Sequence, residues 1–175
     1  MNKLKIGWSE IDITPEKNAS LQGQFAERIS EYVEKPITAT AMAVEYDGEQ
    51  MVLVSVDING ISYNLLDEIR ERLSDNNVGL DIKKVIFAAT HTHTAPVYPR
   101  YMSTAKCGMK QTFRSFLEQE LPEGRKYVEN VNVSENADII TPDEMFELLA
   151  ERLSKVALDA WENRKDAYIT NEFAR

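Results

Sequence analysis

The apolar positions along the chain change period several times, and each change marks an element. Residues 37–46 (ITATAMAVEY) alternate β-branched and small residues, the period-two spacing of a strand. Asp47-Gly48 follows, a dipeptide that suits the tight two-residue hairpin turn, and after it comes the apolar run 51–56 (MVLVSV). So continuous a run reads as a strand covered on both faces. Beyond Ser62, a capping residue, the apolar positions shift to helical spacing at Leu65, Leu66, Ile69 and Leu73. That helix is expected to stop around Asn76, Asn77 and Gly79. Residues 85–90 (VIFAAT) then supply a second buried strand. Strand, helix and strand joined by short connections make a βαβ unit, whose two strands run parallel.

Further along, Phe113, Phe116, Leu117 and Leu121 predict a shorter helix stopped by Pro122, and 122–140 is polar and ambiguous. Thr141-Pro142-Asp143-Glu144 is a helix start: a capping threonine, proline at the first position and glutamate at the third. Leu148, Leu149, Arg152, Val156 and Trp161 carry that amphipathic helix to about residue 162. Ala167-Tyr168-Ile169-Thr170 looks like a strand that opens and then stops with the chain. A domain rarely closes by opening a strand, so the expectation is one piece of a longer protein. The fold class is α/β: a mixed, largely parallel sheet with a βαβ unit and flanking helices, forming a single domain over 1–175.

Charge removes several function classes. With 20 basic and 29 acidic residues the net charge is −9, so the basic stripe that nucleic acid requires is missing. An anionic lipid surface would also repel such a chain. No apolar run is long enough to span a bilayer, and no apolar core follows the basic start Met1-Asn2-Lys3. A soluble protein is expected, cytoplasmic as written or secreted if a signal peptide was removed. One cysteine, Cys107, allows no internal disulfide and has no histidine outside the motif below to activate it.

The chemistry is concentrated in four residues. Both histidines of the chain lie in Thr90-His91-Thr92-His93. In extended backbone, residues two apart share a face with Cα atoms about 6.6 Å apart, and two imidazoles so placed can converge on one zinc ion. The β-branched threonines favour that extended geometry. His91 sits just past the carboxyl end of a buried parallel strand, where α/β sheets place their ligands. The preceding strand ends at Asp57, which the βαβ unit brings to the same edge, as a possible ligand or as the acceptor that fixes a histidine tautomer. The bland alternatives are a satisfied strand-end histidine at 91, a hydrogen-bonded loop histidine at 93, and a helix-cap or loop carboxylate at 57.

Ile6-Gly7-Trp8-Ser9-Glu10-Ile11-Asp12-Ile13-Thr14-Pro15, then Ser55-Val56-Asp57, then Ala89-Thr90-His91-Thr92-His93-Thr94-Ala95-Pro96, resemble in order the amino-terminal part of the neutral, non-lysosomal ceramidase family. That family opens with Gly-x-x-x-x-Asp-Ile-Thr-Pro, has a strand ending in Ser-x-Asp, and carries the hallmark Ala-Thr-His-Thr-His-Ser-Gly-Pro. The resemblance covers roughly residues 4–96 and implies a zinc-dependent hydrolase of an N-acyl amide bond, acting on ceramide or a related lipid-like amide. It implies His91 as a zinc ligand and His93 as an active-site residue, ligand or catalytic. The remaining zinc ligands (a later histidine, a glutamate and a tyrosine) and the active-site serine lie far downstream in the family. A third histidine is missing from this chain, so the site it holds is partial, and the rest of a longer chain is an implied partner. The chain departs from the hallmark at Thr94-Ala95, and Val97 and Tyr98 stand where glycines usually follow. That bulk would reshape a pocket, leaving open a zinc hydrolase of another amide or ester, or a catalytically silent relative that binds a partner. Tyr98 and Arg100 are weak candidates to line the pocket, and Asp12 of the opening signature reads as a turn residue. Arg28 and Tyr101 read as surface and packing residues.

Overall fold

The structure, a computed structural model, describes residues 3–23, 28–74, 78–98, 138–170 and 172. Its strands are β1 (Lys5–Asp12), β2 (Thr38–Tyr46), β3 (Glu49–Val56), β4 (Val85–Ala89) and β5 (Lys165–Asp166). Its helices are α1 (Tyr63–Ser74) and α2 (Pro142–Glu162), with one 3-10 turn over Ile82–Lys84. The five strands form one sheet in the order β4-β3-β2-β1-β5. β3 and β4 are parallel, joined through α1 as the βαβ reading requires, while β1–β2, β2–β3 and β1–β5 are antiparallel. The α/β class stands, but the sheet is mostly antiparallel. A hairpin and a neighbouring antiparallel strand outnumber the single crossover.

That topology also corrects the reading of 51–56. Val52, Val54 and Val56 are buried, whereas Met51, Leu53 and Ser55 are exposed. Both helices lie on one face, α2 across β1, β2 and β3 and α1 against α2. The other face carries Trp8, Met42, Leu53 and Ile86 in one cross-strand register, with Trp8 and Ile86 more than half exposed. An antiparallel sheet tolerates such one-sided covering. β4 is accordingly an edge strand buried fully only at Val85.

The core is built from small residues facing large ones. Ala39, Ala41 and Ala43 of β2 are fully buried beneath Leu149, Leu153, Val156 and Ala157 of α2. Alanine here lets the helix approach the sheet closely. Gly7 completes the fit: a Cβ at that position would lie 2.1 Å from the Ala160 carbonyl oxygen and 2.8 Å from the Arg164 amide. α2 begins as its sequence predicts, with Thr141 and Glu144 exchanging side-chain and backbone bonds in a capping box. In α1, Ser62 Oγ accepts from the Leu65 amide, and Leu65, Ile69 and Leu73 face the core.

The carboxy-terminal strand falls two residues earlier than expected. Lys165–Asp166 pair with β1, while residues 167–170 take no strand form beyond the bond from the Ala167 amide to the Leu4 carbonyl. Tyr168 and Ile169 are exposed, so their apolar character is not spent on the sheet. No helix among the described residues is long and apolar enough to cross a membrane. The expected helix at 113–121, the stretch 122–137, Asn76, Asn77, Arg100, Tyr101 and Cys107 lie outside the described residues.

Candidate metal edge

The opening signature organises backbone. Gly7 admits α2, Ile13 is fully buried, and the Thr14 amide donates to Asp12 Oδ1 at 2.7 Å, the turn expected of that aspartate. Hydrogen bonds from Thr14 hold the Asp12 carboxyl below the usual carboxylate range. Thr14 Oγ1 also accepts from the Ile37 amide at 3.0 Å, tying this turn to the entry of β2. The signature therefore positions the sheet from outside the histidine pair.

At the carboxyl edge, β3 and β4 continue side by side past their last regular residues. The Thr90 amide donates to the Val56 carbonyl at 2.9 Å and the His91 amide to the Ile58 carbonyl at 3.1 Å. At His91 the backbone turns to φ 64°, the left-handed region that residues other than glycine take uncommonly, histidine more often than most. The expected extended geometry of His-Thr-His is thus replaced by a bend. The threonines brace that bend, with the Thr92 and Thr94 hydroxyls 2.8 Å apart and the Thr94 amide donating to Thr92 Oγ1. Local hydrogen bonding has outweighed the β-branched preference for extension.

The bend still brings the rings together. The Nε2 atoms of His91 and His93 lie 3.5 Å apart, with ring centroids at 5.0 Å and planes crossed at 80°. Two nitrogens held at the usual zinc–nitrogen distance on a tetrahedral ion are about 3.3–3.4 Å apart, so the spacing fits one shared cation. The tautomer fits as well. His91 Nδ1 lies 2.6 Å from the Asn59 carbonyl oxygen, which can only accept, so Nδ1 carries a proton and, in the neutral ring, Nε2 presents its lone pair. The sequence offers Asp57 either as a ligand or as the acceptor that fixes a histidine tautomer; the group that meets His91 Nδ1 is the Asn59 carbonyl. The Asp57 carboxylate instead accepts from the Thr38 amide at 3.1 Å and faces the Thr38 hydroxyl at 3.4 Å, tying β3 to the start of β2.

Two neighbours of the pair escaped the sequence reading. Gly23 packs against it: a Cβ there would lie 2.7 Å from His93 Nδ1 and 2.8 Å from Asn59 Nδ2. Gly23 is delivered by a short ladder in which the Gln22 amide donates to the Ala95 carbonyl and the Val97 amide to the Ser20 carbonyl. The only sequence signal was a lone glycine inside a polar stretch. Next to it Gln22 is buried, and its Oε1 has no hydrogen-bond partner among the described residues.

Tyr98 is a correction. It is 1% exposed, its hydroxyl donates to the Gly60 carbonyl at 2.5 Å and accepts from the Ser62 amide at 2.8 Å, and burial pushes its pKa up. A side chain spent on two backbone groups in the core cannot line an open pocket. Ala95 and Val97 are buried too, so the residues that replace the glycines enlarge the core and not the space over the histidines. Arg28 is exposed, as a surface arginine should be. Among the described residues no group of three histidine, cysteine, aspartate or glutamate side chains gathers to hold a metal. A cavity of about 440 Å³ lined by Lys5, Val78, Trp161 and Arg164 lies at the far end of the sheet and shares no residue with the pair.

Comparison with known proteins places the fold. No family model matches the sequence and no curated protein does. Among solved structures, the chain is similar to the neutral ceramidase from Pseudomonas aeruginosa, with a TM-score of 0.67, 17% identity and 95% of this chain covered. It is also similar to a ceramidase complexed with C2, with a TM-score of 0.64, 18% identity and the same coverage. The chain spans 22% of the length of each of these proteins. At such identities the likeness is one of fold alone: the chain is a mixed α/β domain with the fold of that part of these proteins.

Proposed function

We propose that this chain carries the His-Thr-His metal edge of a zinc-dependent hydrolase of N-acyl amides, ceramide or a related lipid-like amide being the substrate class. The observation that carries this reading is the 3.5 Å approach of two Nε2 atoms, one of them bearing a lone pair fixed by Asn59. Its support at the level of substrate is the fold shared with proteins named as ceramidases. Zinc would supply a bound water of pKa about 7 and a Lewis acid for the scissile carbonyl. His91 is assigned as ligand through Nε2. His93 is assigned either as second ligand or as the imidazole that holds a proton at Nε2 for the oxyanion that develops on the amide. Asn59 orients His91, and Asp57 secures the strand end from which Asn59 projects. The burial of Ala95, Val97 and Tyr98 removes the steric reason for turning away from an amide lipid.

A second reading is favoured by the ligand count: two histidines without a third ligand among the described residues suit a silent relative that binds a partner. Zinc analysis of the purified chain tests the metal assignment. A His91→Ala variant is expected to lose bound zinc, and unchanged zinc content would defeat the metal reading. Incubation with an N-acyl sphingosine and added zinc separates hydrolase from silent relative, since release of the sphingoid base excludes silence.

A further inference from the structure

The position opposite the histidine pair is a glycine in a left-handed conformation, and two observations give it a job. Gly23 has φ 80°, and a Cβ there would meet His93 Nδ1 at 2.7 Å, His93 Cγ at 2.9 Å and Asn59 Nδ2 at 2.8 Å. Its segment is also registered to the histidine turn, because Gln22 and Ser20 bond Ala95 and Val97, just beyond His93. The ladder fixes where Gly23 sits, and the missing side chain fixes where the imidazole can sit. We infer that Gly23 is a positioning residue for His93: its bare backbone is the wall against which the ring packs with Nε2 turned toward His91. This rests on reading the pair as a metal edge, but the steric claim stands on its own geometry.

A methyl group at position 23 has two separable consequences. One is backbone strain, which any L residue would feel at that φ. The other is displacement of the imidazole, which only contact with the ring can produce. Gly48 isolates the first: it has φ 82°, and a methyl group there would have nothing within 4 Å. Gly48→Ala therefore carries the strain without the collision.

The experiment uses the purified chain. Zinc affinity is measured by competition with a chromophoric chelator, together with the visible spectrum of the cobalt-loaded protein and the melting temperature. Gly23→Ala is expected to weaken zinc binding by about 10- to 100-fold, as loss of a group that orients a ligand does, and to alter the cobalt spectrum. Gly48→Ala is expected to leave both at wild-type values. Equal zinc binding in the two variants overturns the inference. Because Gly23→Ala could simply unfold the chain, a double-mutant cycle with His93→Ala supplies the second readout. With the ring gone, the drop in melting temperature caused by Gly23→Ala should at least halve, or folding should return. An unchanged drop, or failure to fold in both backgrounds, also overturns it. If wild-type protein binds no zinc, the metal reading fails while the cycle still decides whether Gly23 positions the ring.

Discussion

The two ends of the sheet solve the same backbone problem in opposite ways. At the hairpin end, β2 turns into β3 through Asp47 at φ 51° and Gly48 at φ 82°, with nothing within 4 Å of where a Cβ on Gly48 would be. Tyr46 and Glu49 pair directly across it, so this is a two-residue turn whose residue types are the ones its geometry favours. At the carboxyl end of β3 and β4, the left-handed residue is His91 at φ 64°, and the glycine beside it is hemmed in by a ring and an amide. One turn obeys local propensity and serves folding. The other breaks it and holds two imidazoles face to edge. Residues kept in a sparsely populated conformation persist when their surroundings over-determine them, and such sites cluster where chemistry is done.

The largest effect expected from this contrast is at His91 itself. Replacing it by alanine or by glycine removes the Nε2 proposed as zinc ligand in both cases, and zinc affinity measured by chelator competition should fall by more than about 100-fold, beyond the loss of an orienting partner alone. Stability should separate the two. Alanine keeps a Cβ at positive φ, whereas glycine adopts that region freely, so His91→Gly should be more stable than His91→Ala by about 1 kcal/mol in chemical denaturation. Equal stability would mean that position 91 carries no strain, and the contrast between the two ends would vanish.

Next comes the link that holds the chemical end in place. Asp57→Ala removes an acceptor from the Thr38 amide and hydroxyl, and this should lower stability by about 1–2 kcal/mol. Zinc affinity should fall far less than in His91→Ala, because the acceptor for His91 Nδ1 is the Asn59 carbonyl. A loss of zinc in Asp57→Ala as large as that in His91→Ala would make Asp57 a ligand and return it to the centre of the site.

Much of the quieter end was legible in sequence. Period-two alternation in 37–46, the Asp-Gly turn and the Thr-Pro-Asp-Glu helix start are local signals, and each appears where its spacing puts it. The errors came from tertiary context. The run 51–56 could not announce that helices would cover only one of its faces, since apolar residues on an open face look like core residues in a string. Parallel pairing was over-extended because one βαβ unit is locally readable, while 25 residues of sequence separate the antiparallel partner β1, ending at Asp12, from the start of β2 at Thr38.

At the chemical end the residue types were legible and the mechanism of convergence was not. His91 and His93 could be singled out, yet extension was assumed where a left-handed bend does the work. Tyr98 looked like a pocket aromatic because a sequence does not show that its hydroxyl meets Gly60 and Ser62 inside the core. Gly23 lies seventy positions from His93, and a single glycine reveals nothing about a ring folded against it.

Gly48→Ala sharpens the comparison from its other side. Position 48 tolerates a methyl sterically, so only the left-handed backbone opposes it, and a loss of about 1 kcal/mol with unchanged zinc affinity is expected. A larger loss, or any loss of metal, would show that the hairpin is coupled to the far end of the sheet and is not a purely local turn.

The smallest effect lies outside both ends, and it tests whether a region that obeys propensity responds to pH in a correspondingly local way. Glu144 closes the capping box of α2, and the bonds from the Thr141 backbone together with Lys17 lower its pKa from 4.5 to about 2. A carboxyl depressed in the folded state binds its proton more readily when unfolded. Its contribution is therefore fully present above about pH 4.5 and is lost as the pH falls toward 2. Glu144→Gln should melt below wild type at pH 7, and the gap should narrow steadily over that acid window. The group is exposed, so salt should shrink the part owed to Lys17 and leave the part owed to the Thr141 amide. A gap that stays constant from pH 7 to pH 2 would show that the carboxylate charge adds nothing to the cap, and that a neutral amide at the same position serves α2 equally well.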